Sequence, residues 1–251
     1  MKLFLMLDYD GTLVPLQDRP GEAVPPEKLL RLLQGIAHRE DTRVAVVSGR
    51  SMNDLKELLP LTGCLYLVGC HGGVISEPPG GEYYTFSREI NMDCLEELYR
   101  LLAEEIKIKP GFILEKKEVS LALHYRMAGA SDVESVKDKF MEHFRRTCSE
   151  AWWECLCGKR VWEVRPREVN KGKACLYLLD KWPGATCVYA GDDITDEDAF
   201  KSLRERGETV LVGEQWRPTW AERILKREEL GELLYKIYYH GPGAILGDEQ
   251  G

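Results

Sequence analysis

Five apolar residues, 3–7, run straight into Asp8-Tyr9-Asp10-Gly11-Thr12. A short apolar run with no polar alternation reads as a strand buried on both faces, as in parallel sheets covered by helices on each side. Further runs of this kind follow at 44–47, 65–68, 187–190 and 209–212. Segments with apolar residues three and four apart lie among them: 25–40, with Leu29, Leu32, Leu33 and Ile36 on one face, then 171–182, 196–206 and 227–240. The predicted fold class is α/β, with a doubly wound, Rossmann-like core of parallel strands.

The middle of the chain breaks that rhythm. From 87 to 166 the pattern becomes helix, two strands, helix, two strands, with helices at 92–107 and 132–146 and strands at 111–118, 120–126, 151–157 and 159–165. This αββαββ segment predicts an inserted α/β cap domain, 87–166, set into a core made of 1–86 and 167–251. The stretches EPPGGEYY and RPREVNKG read as its linkers, and a chain of 251 residues is long enough for both parts.

A formal net charge of −8 argues against nucleic acid or an anionic membrane as the main partner. Between Lys2 and Asp8 the apolar run is too short for a signal peptide, and no window approaches the length of a membrane span. The expectation is a cytoplasmic monomer. Cys64, Cys70, Cys94, Cys175 and Cys187 sit in apolar runs, where reduced cysteine behaves as a small core residue. Cys155 and Cys157 form C-x-C without a second pair at zinc-ligand spacing, so a reduced chain is expected rather than a structural metal site.

In a doubly wound sheet, ligands bind beyond the carboxyl ends of the strands. Here those ends carry Asp8 and Asp10, then Ser48-Gly49-Arg50, then Asp192-Asp193-Ile194-Thr195-Asp196, with Lys171 opening the helix before the last of these strands. Each group alone has an ordinary explanation: a turn, a helix cap, a surface lysine, or acids drawn to a helix N-terminus. Their conjunction at one sheet edge is suited to phosphoryl transfer. A carboxylate can attack phosphorus, and a second acid two residues on can protonate the leaving oxygen and later take a proton from water. The charge on the transferring group needs cations, which Lys171 and a hard metal held by Asp8, Asp192 and a backbone carbonyl would supply; magnesium suits so sparse a carboxylate site. Ser48 and the backbone N–H groups near Gly49 suit a phosphate oxygen.

These four motifs, in this order, resemble the haloacid dehalogenase superfamily. The resemblance implies Asp8 as nucleophile, Asp10 as acid and base, and magnesium bound by Asp8, the Asp10 carbonyl and Asp192, with Asp193 or Asp196 ordering the metal's waters. Dehalogenases lack the second acid, so Asp10 points to phosphate rather than halide.

Within the insert, strand alternation and two covering helices would present Glu115, Lys117, Lys159 and Glu163 on the face away from the helices. An ordinary solvent-facing sheet would show the same pattern, but mixed donors and acceptors also suit a polyhydroxylated ligand. The segments LEKKEVSLALHYR, GKRVWEVRP and VNKGKA resemble the trehalose-6-phosphate phosphatase family, as do LDYDGTLVPLQDRPGEAVPP and GDDITDEDAF. The likeness runs from residue 3 to 212 and departs at Gly73, where the family usually carries Ala. It implies that Glu115, Lys117, Lys159 and Glu163 hold the sugar distal to the phosphate, with Arg50, His124 and Arg126 as further substrate-binding candidates. The reading is a Mg2+-dependent phosphatase acting on a small phosphorylated sugar, first of all trehalose 6-phosphate. The sequence leaves open a phosphatase of sucrose phosphate or mannosylphosphoglycerate type, a phosphosugar mutase, or a silent sugar-phosphate sensor. With no synthase domain in sight, any coupling to sugar-phosphate synthesis would be in trans.

Overall fold

A computed structural model describes residues 1–17, 19–61, 63–85, 91–158, 160–214 and 217–245. The chain divides into two compact units, Met1–Thr85 with Asn170–Gly251, and Phe86–Val169. In chain order the larger unit begins with β1 (Lys2–Asp8), α1 (Glu27–Ala37), β2 (Thr42–Val47), α2 (Met52–Leu58), β3 (Tyr66–Gly69), β4 (Val74–Ser76) and β5 (Glu82–Tyr84). The smaller unit follows as α3 (Asp93–Ile106), β6 (Ile113–Lys116), β7 (Leu121–His124), α4 (Ala130–Thr147), β8 (Trp153–Gly158) and β9 (Val161–Pro166). The chain then returns to the larger unit with α5 (Lys171–Asp180), β10 (Ala185–Gly191), α6 (Glu197–Leu203), β11 (Gly207–Val212), β12 (Arg223–Leu225) and α7 (Arg227–His240).

The larger unit is built on an eight-stranded sheet of order β12-β11-β10-β1-β2-β3-β4-β5. β1 lies between β10 and β2 and runs parallel to both, with Leu7 opposite Ala190 and Asp8 opposite Val47. Apart from Lys2, all of β1 is buried, which is why its sequence shows no alternation. One face of the sheet packs Phe4, Met6, Val47, Val68 and Tyr189 against Leu178 of α5 and Phe200 of α6.

The last two strands depart from the expected all-parallel sheet. β4 and β5 are antiparallel and pair Ser76 with Glu82. The stretch EPPGGEYY is therefore a hairpin rather than a linker: the Glu77 N–H donates to the Gly81 oxygen at 3.0 Å. Pro and Gly serve tight turns and linkers alike, so composition does not separate the two.

The smaller unit holds a four-stranded antiparallel sheet of order β6-β7-β9-β8 with its own core. Leu121, Leu123, Trp162 and Val164 of that sheet pack against Leu95, Leu98 and Leu102 of α3 and Val136, Phe140 and Phe144 of α4. This is the αββαββ order read from the sequence. No helix among the described residues is long and apolar enough to cross a membrane. All eight cysteines are free thiols; Cys70, Cys148, Cys175 and Cys187 are buried, while Cys64 and Cys94 are half-buried.

Candidate active site

Three adjacent parallel strands, β10, β1 and β2, end at the same edge of the sheet and place the sequence motifs beside one another. Asp8 closes β1. Lys171 opens α5, whose N-cap is Asn170, its side chain accepting from the Lys173 N–H at 2.9 Å. From there the Lys171 Nζ donates to Asp8 Oδ1 and to Asp196 Oδ1, at 2.7 Å each. Asp196 is fully buried and also accepts from the Tyr189 hydroxyl on Oδ1 at 2.6 Å and from the Asp193 N–H on Oδ2 at 2.9 Å. Gly11 adopts φ +89°, and a Cβ there would lie 2.1 Å from Asp192 Oδ2, so the turn after β1 can carry only glycine if Asp192 is to lie against it.

Carboxylate oxygens of Asp8, Asp192 and Asp196 lie within 4.8 Å of one another. These are hard oxygen donors, the kind a magnesium ion takes, and two of the three acids, Asp8 and Asp196, pair with the ammonium of Lys171. Burial pushes the Asp8 carboxyl well above its ordinary value; Lys171 opposes that shift, while Asp196 and Asp192 add to it. For Lys171 burial works against the charge, but Asp196 and Asp8 outweigh it and hold the ammonium protonated. The surplus of buried negative charge is what a divalent cation would neutralise, so the residues present fit one. Asp8 and Asp192 would be the readier ligands of such an ion, because both oxygens of Asp196 already accept hydrogen bonds from the protein.

Asp10 is held by a partner that the sequence did not suggest. Arg50 grips it in a bidentate fork, with Nε to Oδ2 at 2.7 Å and Nη2 to Oδ1 at 2.6 Å, and lies over the ring of Tyr9. Asp10 more than offsets the effect of burial on Arg50 and raises its pKa. Ser48 does not cap the next helix: Ser51 does, accepting from the Asp54 N–H at 3.0 Å, and Ser48 Oγ accepts from the Arg50 N–H at 3.1 Å.

Two groups that sequence reading missed brace these loops. His71 packs on Gly49 so closely that a Cβ on Gly49 would lie 2.4 Å from the imidazole. Cys70 and His71 both take positive φ, 51° and 56°, and their N–H groups donate to the Arg50 and Ser48 oxygens at 2.7 and 2.9 Å. Backbone strain of this kind concentrates at functional sites. Arg227, at the start of α7, donates to the Gly11 oxygen at 2.9 and 3.2 Å. The motif around His71 was visible in the sequence, whereas nothing near Arg227 pointed to it.

The smaller unit gathers most of the expected sugar-facing residues on the face opposite its helices. Glu115, Ala122 and Glu163 line up across β6, β7 and β9. Lys117 and Ser120 are not in strands but in the turn between β6 and β7, where both reach Glu163 Oε1, at 3.0 and 2.6 Å. Lys117 and Glu163 are buried, at 8% and 5% exposure. His124 Nε2 lies 2.7 Å from Glu115 Oε2, and this contact and Lys117 outweigh burial to lower the Glu115 carboxyl. Arg126 follows β7 and is half-buried; Lys159 lies outside the described residues.

A buried acid at the end of the first strand, a second acid two residues on, a bridging lysine and an acid cluster after β10 define a hydrolase of the haloacid dehalogenase superfamily. The trehalose-phosphatase family model matches residues 6–217, and the chain belongs to that family of phosphoric monoester hydrolases. It is 32% identical to a probable trehalose-phosphate phosphatase of Arabidopsis thaliana over 94% of this chain and 72% of the relative. It is 35% identical to a bifunctional trehalose-6-phosphate synthase/phosphatase of Thermoproteus tenax, over 83% of this chain but 28% of that much longer protein. Among solved structures, the C-terminal domain of C. albicans trehalose-6-phosphate phosphatase superimposes with a TM-score of 0.83 at 25% identity, covering 94% of this chain and 92% of that one.

Proposed function

We propose that this chain is a magnesium-dependent phosphatase that hydrolyses trehalose 6-phosphate to trehalose and phosphate through an aspartyl-phosphate on Asp8. The observation that carries the reading is the buried Lys171 bridging Asp8 and Asp196 beside Asp192, in a chain whose relatives are named for this activity. An Asp8 carboxylate oxygen attacks phosphorus as the bond from phosphorus to the sugar oxygen breaks, and Asp10 gives that oxygen its proton. Water then attacks phosphorus, Asp10 takes the water's proton, and the Asp8 carboxylate is released with phosphate. Lys171, Ser48 and the Gly49 N–H hold the phosphoryl oxygens, and Lys171 stays charged throughout between its two acids. A magnesium ion on Asp8, Asp192 and the Asp10 main-chain oxygen would neutralise the phosphoryl charge, with Asp193 the better candidate than Asp196 to order its waters.

Glu115, Lys117, His124, Arg126, Lys159 and Glu163 are proposed to hold the sugar, and Arg50 to act on Asp10 as well as on the substrate. The buried Lys117–Glu163 pair supports a built binding face rather than a solvated one. The same reading keeps the chain a cytoplasmic monomer that needs no nucleic acid or membrane.

Phosphate release from trehalose 6-phosphate with Mg2+, lost on chelation and regained on adding Mg2+ back, tests the proposal directly. Asp8→Asn is expected to cut kcat roughly 10⁴-fold or more, the scale of removing a covalent nucleophile. Magnesium-dependent release that survives Asp8→Asn would refute the reading.

A further inference from the structure

We infer that Tyr189 is a positioning residue for Lys171, acting through Asp196. The inference rests on the phosphatase reading above. Tyr189 sits in the middle of β10 within an apolar run, fully buried, with its ring edge-on to Phe200 at 5.6 Å between centroids. A buried tyrosine in such a run is ordinarily a core residue, and its hydroxyl needs a partner. The partner here is Asp196 Oδ1 at 2.6 Å, the same oxygen that accepts from Lys171 at 2.7 Å.

That shared oxygen sets how Lys171 is divided. Lys171 is equally close, at 2.7 Å, to Asp8 and to Asp196, although Asp196 is the more deeply buried acid. An Asp196 carboxylate with fewer donors would compete harder for the ammonium, because desolvated charge is compensated by whatever donor is nearest. The Tyr189 hydroxyl takes up part of the Asp196 charge and leaves Lys171 free to stay on Asp8, where the phosphoryl charge is to be met. The Tyr189 hydroxyl donates to Asp196; its effect passes through Asp196 and then Lys171.

Tyr189→Phe keeps the ring and its contact with Phe200 and removes only the hydroxyl. It is expected to lower kcat for trehalose 6-phosphate about tenfold, the scale of losing one outer partner of a charged site, with KM unchanged. Double substitution separates positioning from general loosening. In a Lys171→Met background, assayed with p-nitrophenyl phosphate as an activated substrate, adding Tyr189→Phe is expected to cost nothing more, because the residue it acts through is gone. A difluorotyrosine at position 189, a stronger donor of almost the same shape, is expected to raise kcat above that of wild type and covers the case in which the Phe variant folds poorly. A wild-type kcat in Tyr189→Phe, a change confined to KM, equal losses in both backgrounds, or a flat response to the fluorinated residue would each overturn the inference. A wild-type chain that releases no phosphate from any phosphomonoester with Mg2+ would overturn the phosphatase reading itself.

Discussion

Asp8 carries the heaviest demands of any residue in this site: as the proposed nucleophile it would have to be ionised to attack, yet it is buried beside Asp192 and Asp196. Its folded value lies above the ordinary 3.8, so between those two values the folded chain binds a proton that the unfolded chain has released. Stability therefore falls as pH rises from 3.8 and levels off only above the folded value. Asp8→Asn removes that loss and is expected to melt higher than wild type at neutral pH without metal, while losing turnover. Adding Mg2+ should narrow the gap, because the ion stabilises the wild-type acid cluster more. A thermal melt with and without the ion checks this; a variant less stable than wild type in metal-free buffer would show that Asp8 is not held at a cost. Arg50 calls for a finer comparison. Its fork fixes both oxygens of Asp10, and lysine offers a point charge without that planar geometry. Arg50→Lys is expected to lower kcat by up to about 100-fold through misplacement of the acid, with folding retained. A kcat equal to wild type for the lysine variant would remove the orientation argument.

At the scale of elements, β6, β7, β9 and the turn between β6 and β7 carry residues proposed to hold the sugar. Glu163 on β9 takes Lys117 and Ser120 from the turn between β6 and β7, so this contact also ties that turn to the sheet. Glu163→Ala removes one partner of a buried ion pair and is expected to cost about 3–5 kcal/mol of stability in the full chain, measured by denaturant unfolding, whereas Glu163→Gln should cost less. The ratio of kcat/KM for trehalose 6-phosphate to that for p-nitrophenyl phosphate is independent of the fraction folded. It should fall sharply in both variants, and an unchanged ratio would take Glu163 out of substrate selection. Period-two alternation made Glu115 and Glu163 legible, because strand geometry alone assigns a face. It did not show that Lys117 would turn out of the strand to meet Glu163, since a turn's local conformation is hidden in a run such as EKKEVS. The same contrast holds in the core. Asp8, Asp10, Lys171 and Asp192 could be read because each stands next to a strand end or helix start. The pairing of Arg50 with Asp10 and the part played by Tyr189 could not: Arg50, legible as a candidate at a strand end, closes on an acid 40 residues away, and Tyr189 looks like any apolar strand residue until Asp196 is seen to fold back on it.

At the scale of the whole molecule, each unit has a hydrophobic core of its own, one around Phe4, Val68 and Leu178 and the other around Leu98, Leu123 and Phe140. The acids that would hold a cation all belong to the larger unit, on β1 and in the segment after β10. An ion that binds only the folded state stabilises what it binds by about 2.7 kcal/mol at a concentration of 100 times Kd. Since the ligands sit in one unit, that gain should appear first in its amides. Hydrogen exchange is therefore expected to slow on adding Mg2+ in peptides covering β1, β10 and the start of α5, and to stay the same in those covering β7, β9 and α4. The magnitude distinguishes binding from ionic strength, because the same concentration of a potassium salt should leave both sets unchanged. Equal slowing in the two units would mean that they unfold as one cooperative body, and no slowing in β1 would mean that the acid cluster does not take the ion.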